Sequence, residues 1–184
     1  IEVAQRATPE HVEIELRAQI EAALAAGVDV THLDSHMGTV LFPRFLDVYA
    51  RLAQEFRLPA FVARPDAKVL KKAGLAGFEP VLRQAMERME AARLPVLDAV
   101  DLFSLDFAPG GGDAHTKVRL DRIGAGLTYF ITHPAKESTE IRAISPDSHA
   151  RVFEHEFYGS ARGRDEFARR GLKTVGMRQL RHLV

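Results

Sequence analysis

The segment Val28-Asp29-Val30-Thr31-His32-Leu33-Asp34-Ser35-His36 decides the predicted fold, because a β pattern gives way there to a polar cluster. The β-branched residues predict a short strand over 28–33. A helical pattern over 6–27 precedes it, with Thr8 as the expected N-cap and Gly27 as the expected stop. A helix that leads directly into a strand is typical of α/β folds.

The same alternation of helices and strands continues along the rest of the chain. Apolar spacing predicts helices over 43–56, 79–93, 117–123, 145–157 and 160–170, and strands over 58–63, 96–105, 127–132 and 172–176. This order predicts an α/β fold with a parallel sheet or barrel, in one domain over 1–184. The glycine run 110–112 lacks the Lys-Ser/Thr of a phosphate-binding loop, so we expect a mobile loop there.

Composition excludes several classes of protein. The 25 Lys and Arg balance the 25 Asp and Glu, which argues against a nucleic-acid partner. No cysteine is present, so any metal must be held by His, Asp or Glu. No signal peptide or apolar run of about 20 residues occurs, so we expect no membrane partner and a cytoplasmic location. Ile1 in place of an initiator Met indicates a piece of a longer protein.

Polar side chains stand at the ends of three predicted strands: His32 to His36, Arg64 and His133. In parallel α/β folds, ligands bind at the carboxyl ends of the strands, where residues distant in sequence meet. The sequence therefore predicts a site on one face of the sheet. The histidines at 11, 115, 149, 155 and 182 have no evident partners and are predicted to be exposed.

The spacing His32-x-Asp34-x-His36 places two imidazoles and a carboxylate on one face of an extended strand. That set suits a divalent metal. If the chain turns after Asp34, one His binds the metal and the others orient it. The alternative is that one or two of these histidines are buried and satisfied by backbone hydrogen bonds. For His133, which precedes a proline, a purely strand-terminating role is an equal alternative.

Several stretches resemble the YdjC-like carbohydrate deacetylases. The residues 31–36, T-H-L-D-S-H, match the central motif of that family. The helix residues 15–21 resemble its E-L-x-x-Q-I-E stretch, and 131–135 resemble its late strand-His-Pro motif. The resemblance covers nearly the whole chain. It implies an irregular (β/α) barrel of the polysaccharide-deacetylase type, here missing its first strands.

The resemblance also implies a metal-dependent hydrolase that removes N-acetyl groups from an amino sugar or chitooligosaccharide-like substrate and releases acetate. His36 corresponds to one of the three ligands of the divalent ion, Mg or Zn. The other two ligands and the catalytic base belong to N-A-D-D-F-G and G-x-H motifs that these 184 residues lack. This chain alone is therefore expected to be catalytically incomplete.

The remaining roles follow from the same resemblance. His133 is the expected general acid for the departing amine. His32 is expected to bind substrate, and together with Asp34 to orient His36 or contact the sugar. Arg64 is expected to pair with a catalytic carboxylate. An N-acetylated sugar is the expected partner, and a homodimer is compatible with the sequence.

Two other functions remain open at this point. The first is another metal-dependent hydrolase on an α/β barrel, such as a phosphoesterase or an amidase, because such folds host many chemistries. The second is a catalytically incomplete domain that binds a carbohydrate or a protein partner.

Overall fold

The structure is a computed structural model that describes residues 5–72 and 74–184. Ile1, which indicated a piece of a longer protein, lies outside the described residues. Packing divides the chain into two compact units, Ile1–Ala99 with Val175–Val184, and Val100–Thr174. A packing unit is not necessarily a domain, so the single domain over 1–184 stays a prediction.

The first unit is mainly helical. Its elements are α1 (Pro9–Ala25), a 3-10 helix (His36–Leu41), α2 (Pro43–Glu55), α3 (Ala67–Lys72), a 3-10 turn (Ala76–Phe78), α4 (Glu79–Ala91) and α9 (Met177–Arg181). The first helix begins as predicted, because Thr8 accepts a hydrogen bond from the His11 amide at 3.3 Å. It ends before Gly27, whose φ of 74° suits glycine.

Helix α2 supplies much of the core of this unit. Its apolar residues recur at helical spacing, so one face is buried: Phe45, Leu46, Val48, Tyr49, Ala50, Leu52 and Ala53. Val48 and Leu52 pack with Ile20 of α1 and with Leu58. Leu33 borders this cluster, which ties the predicted strand 28–33 to the core.

The β structure of the first unit is shorter than predicted. Strands 28–33 and 58–63 reduce to isolated parallel bridges, Leu33 with Ala60 and Ala63 with Leu97. The Leu33 amide donates to the Pro59 carbonyl at 2.8 Å. Because Pro59 has no N–H of its own, the ladder cannot extend regularly at that point.

The second unit holds a small parallel sheet. Its elements are β1 (Ala99–Asp101, which begins at the end of the first unit), α5 (Gly112–Asp121), β2 (Thr128–Phe130), α6 (Thr139–Ile144), α7 (Ser148–Tyr158) and α8 (Ala161–Arg169). Helix α5 connects the two strands, so the unit contains the β-α-β element that the alternation predicts. The α/β class is confirmed, while a closed barrel stays a prediction.

Two predictions of local structure were wrong. Residues 172–176 form no strand in the described part of the chain, and Val175 is 54% exposed there, without the packing that a strand face needs. The glycine run is not simply a loop, because Gly112 begins α5 and is buried against Phe153. Among the described helices, none has the length and apolar character that a bilayer span requires.

Candidate functional site

Within the motif 31–36, hydrogen bonds fix the backbone on both sides of Leu33. The Leu33 amide donates to the Pro59 carbonyl, and the Leu33 carbonyl accepts a hydrogen bond from the Tyr49 hydroxyl at 2.6 Å. The same hydroxyl accepts from the Phe61 amide at 2.9 Å. A buried side chain of α2 therefore reinforces the single backbone bridge between these two β segments, and it fixes the start of the polar cluster.

The extended conformation ends directly after Asp34. The Asp34 carboxylate accepts from the Ser35 amide at 2.7 Å, and a 3-10 helix begins at His36. Met37 and Gly38 both have positive φ, 58° and 68°, so the chain reverses sharply there. A left-handed Met is uncommon, and such strain often occurs at functional sites.

This turn corrects the interpretation that His32, Asp34 and His36 share one strand face. Within residues 5–72 and 74–184, no group of three or more His, Asp or Glu side chains is arranged to hold a metal ion. The three residues therefore do not form a complete metal site. The alternative in which His36 alone binds the metal is the one that the turn favours, and it stays a prediction.

The side chains of the motif differ in environment. His32 is half-buried, and its Nδ1 lies 2.9 Å from the Thr31 hydroxyl. Asp34 and His36 are exposed, and Met37 is 86% exposed. The His36 ring has no hydrogen-bond partner among the described residues, so both of its nitrogens are open to solvent or a ligand.

The side chains of the motif are suited to supply one ligand of a metal site. A free, exposed imidazole at His36 is a suitable ligand for Zn and for similar divalent ions. Beside it, the Ser35 hydroxyl is buried and has no partner within the described part of the chain. A buried hydroxyl without a partner is costly, which indicates that further polar groups belong at this place. The remaining ligands would have to come from outside the described residues.

Arg64 is paired with two carboxylates, and one of them belongs to a residue of α4. It donates to Glu90 at 2.6 Å and to Asp98 at 3.1 Å, and it contacts the Met86 sulfur at 3.4 Å. The hydrogen bond with Glu90, and then that with Asp98, raises the pKa of Arg64. Its expected pairing with a catalytic carboxylate stays a prediction.

His133 lies just after β2 and is half-buried. Its Nδ1 lies 2.8 Å from the hydroxyl of Ser104, which is 1% exposed. Its backbone amide donates to the Glu154 carboxylate at 2.5 Å. Nε2 has no partner among the described residues, so the ring is anchored on one side and open on the other.

A buried ionic network stands behind this histidine. Arg119 donates to Asp101 at 2.8 Å and to Glu154 at 3.2 Å. Its guanidinium also donates to the Ile131 carbonyl at 2.6 Å. Arg119 and Glu154 are 3% and 1% exposed, so the charges are removed from water and compensate each other.

Aromatic rings close the network from the other side. The Arg119 guanidinium lies 4.1 Å from the centre of the Phe130 ring, a cation–π contact. The Tyr158 hydroxyl is 3.4 Å from Arg119. Burial, as the largest effect, raises the pKa of the Tyr158 phenol, so it stays neutral at physiological pH.

Sequence reasoning missed Ser104, Arg119 and Glu154. A signal existed for Glu154, because it lies on the buried face of α7 between Ala150 and Phe157, at helical spacing. A charged residue on an apolar helix face is rarely buried unless it is paired. No comparable pattern in the sequence indicates Ser104.

Two histidines predicted to be exposed without partners are instead bound. The Nε2 atom of His115 lies 2.8 Å from the Phe103 carbonyl, and that of His149 lies 2.8 Å from the Phe107 carbonyl. Both rings also contact Phe107, at 4.9 and 5.7 Å between centroids. These two residues therefore hold the segment around Ser104. The predicted exposure of His11, His155 and His182 is confirmed.

Comparison with known proteins identifies the family. The sequence profile of the YdjC-like protein family matches residues 1–169. The chain belongs to the YdjC-like family. The resemblance inferred from the motif 31–36 is thereby confirmed, whereas the roles of the individual residues stay predictions.

Relatives of this YdjC-like chain are named carbohydrate deacetylases. One from Thermus thermophilus is 34% identical over 143 residues, which is 78% of this chain and 50% of the relative. One from Geobacillus stearothermophilus is 30% identical over 173 residues, 91% of this chain and 59% of the relative. The YdjC-like chain thus spans about half the length of the curated relatives that it matches.

A solved structure supports the fold of this YdjC-like chain. It is a protein of Enterococcus faecalis, provisionally named a cellobiose-phosphate cleavage protein, with a TM-score of 0.70 and 20% identity. The alignment covers 96% of this chain and 62% of that chain. At this identity the likeness concerns the fold alone.

Proposed function

We propose that the protein to which this chain belongs is a metal-dependent deacetylase that removes N-acetyl groups from an amino sugar or a chitooligosaccharide-like substrate. The observation that carries the proposal is the exposed His36, which stands free at the sharp turn of the family motif. The relatives named carbohydrate deacetylases support the reaction type.

His36 would supply one ligand to a divalent ion, Mg or Zn, with the others outside the described residues. When bound, such an ion activates water and polarises the acetyl carbonyl. His32 and Asp34 flank this position and would contact the sugar hydroxyls or orient the ligand. Arg64 would restrain a carboxylate near the site.

His133 would act as the general acid. Water adds to the acetyl carbon, and a carboxylate outside the described residues takes the proton of the water. The C–N bond then breaks as Nε2 of His133 gives its proton to the leaving nitrogen, and the products are acetate and a free amine. The structure suits this role because Nδ1 is held by Ser104 while Nε2 is open.

The test is acetate release from N-acetylglucosamine oligomers by protein expressed from its complete reading frame. We expect His36→Ala to abolish metal binding in calorimetry and to reduce turnover by about a thousandfold or more. The exposed His155 provides a matched control, because His155→Ala should change neither quantity. Unchanged metal affinity and turnover in His36→Ala would contradict the proposal.

A second candidate is a carbohydrate-binding domain without catalysis. It is favoured by the lack, within the described residues, of a group that could hold a metal by itself. Titration with chitooligosaccharide separates the two, because a binding domain would bind sugar equally well with and without added metal and would release no acetate. Activity on phosphate esters instead of acetylated sugars would indicate a different hydrolase.

A further inference from the structure

Both oxygens of the Glu154 carboxylate are committed to partners. One accepts from Arg119 and the other from the backbone amide of His133. At 1% exposure this side chain is sealed from solvent. It therefore does not itself contact a substrate. It can affect the reaction only through the two residues that it holds, Arg119 and His133.

Arg119 holds the neighbouring peptide unit. The sheet ends at Phe130, and its last backbone hydrogen bond joins the Ile131 amide to the Asp101 carbonyl at 3.1 Å. Beyond that point the Arg119 guanidinium binds the Ile131 carbonyl at 2.6 Å. The Arg119–Glu154 ion pair therefore holds the backbone beyond the point where the hydrogen bonds of the sheet end.

The result is that the backbone and the ring of His133 are held separately. Arg119 and Glu154 hold the peptide units on its amino side, and Ser104 holds Nδ1 of the ring. A serine hydroxyl can donate or accept, so it orients the ring whether or not Nδ1 carries a proton. Nε2 can then lose and regain a proton without a change of ring orientation.

We propose that Arg119 and Glu154 form a positioning pair that, together with Ser104, holds His133 in the orientation needed for proton transfer. This inference rests on the proposed function, in which His133 is the acid. Stability alone is a weak reason for such a pair, because apolar residues of similar volume often stabilise a core as well or better. A site whose acid must be held within a fraction of an ångström supplies the stronger reason.

The test compares Glu154→Gln and Ser104→Ala in protein expressed from its complete reading frame, with deacetylation and NMR as readouts. Glu154→Gln keeps the size of the side chain but removes the charge that serves both partners. We expect each variant to lower kcat by about tenfold or more while KM changes by less than about twofold, because orientation acts on the chemical step. The ring ¹⁵N and backbone amide signals of His133 should shift in both variants.

Glu156→Gln is the matched control, because it makes the same change two residues along α7, at an exposed side chain outside the network of Arg119 and Glu154. We expect its kcat to match the wild type. If Glu154→Gln does not fold, Ser104→Ala tests the ring contact by itself.

Two outcomes separate this inference from the proposed function. If His133→Ala lowers kcat but Ser104→Ala and any folded Glu154→Gln retain wild-type kcat, the positioning pair is refuted while the acid assignment stands. If His133→Ala itself deacetylates normally, the assignment of the acid fails, and the inference fails with it. A fall in kcat of Glu156→Gln equal to that of the two variants would show that the loss of any charge from α7 slows the reaction, and it would also refute the positioning role.

Discussion

Replacement of Tyr49 by Phe tests whether a single hydroxyl joins two β segments of the first unit. The ring of Tyr49 is 2% exposed, and its hydroxyl bonds to the Leu33 carbonyl and the Phe61 amide. Tyr49→Phe keeps the buried ring and leaves both backbone groups without this partner. The change in free energy of unfolding therefore reports mainly on the two hydrogen bonds.

The size of the effect follows from burial. Phe61 is 7% exposed, so the loss of an acceptor for its amide should cost about 1–3 kcal/mol. Leu33 is half-buried, so water can partly replace the hydroxyl at its carbonyl, at a cost of roughly 0.5 kcal/mol. The sum is about 1.5–3.5 kcal/mol, which corresponds to a decrease in Tm of roughly 3–14 °C for a chain of this size.

Urea unfolding followed by circular dichroism measures this loss, with Tyr158→Phe as the comparison. The Tyr158 hydroxyl lies 3.4 Å from Arg119, at the limit of hydrogen-bond distance, and also bonds to the Thr116 side chain, so its removal leaves no backbone group without a partner and should cost about 1 kcal/mol. Equal midpoints for Tyr49→Phe and the wild type would show that the hydroxyl does not join the two segments.

Two further predictions concern stability. Gly112→Ala should lower the free energy of unfolding by about 1–3 kcal/mol, because an added Cβ would lie 2.5 Å from the Phe153 ring. Gly77→Ala is the control and should be neutral or slightly stabilising, because an added Cβ there would meet no atom within 4 Å. Equal urea midpoints for the two variants would contradict this prediction. The pKa of Asp147 is lowered, and the hydrogen bond from Arg151 is the largest cause. The pair therefore stabilises the fold above the unfolded-state pKa of the carboxyl, and this stabilisation is lost as the pH falls through the lower folded-state pKa. Asp147→Asn should therefore flatten the acid limb of the Tm–pH profile, and an unchanged limb would speak against the pair.

The helices of this chain could be predicted because their signals are local. The N-cap Thr8, the stop at Gly27 and the apolar face of α2 all lie within the elements that they define. The strands were harder, because a strand exists only through its neighbour. Residues 172–176 have strand-like composition but pair with no described segment.

The candidate site was predicted only where the residue type itself indicated chemistry. His36 and His133 stand at the ends of β segments, as the alternation predicts. Glu154 and Ser104 could not be assigned to His133 from sequence, since 21 and 29 residues separate them from it and only the tertiary fold brings them together. The positive φ of Met37 could not be predicted either, because only the next residue of the reversal, Gly38, is of a type that favours this conformation.

The exposure of Met37 has a consequence for the chemical durability of the protein. The chain has 4 methionines, of which Met86 and Met89 are buried, so peroxide should reach the thioether beside His36 far sooner than those two. Conversion to the sulfoxide would place a polar, chiral group at a strained bend. We expect peptide mass spectrometry after mild peroxide treatment to find the added oxygen at Met37 ahead of the buried pair, so aged preparations would be damaged first next to their proposed metal ligand.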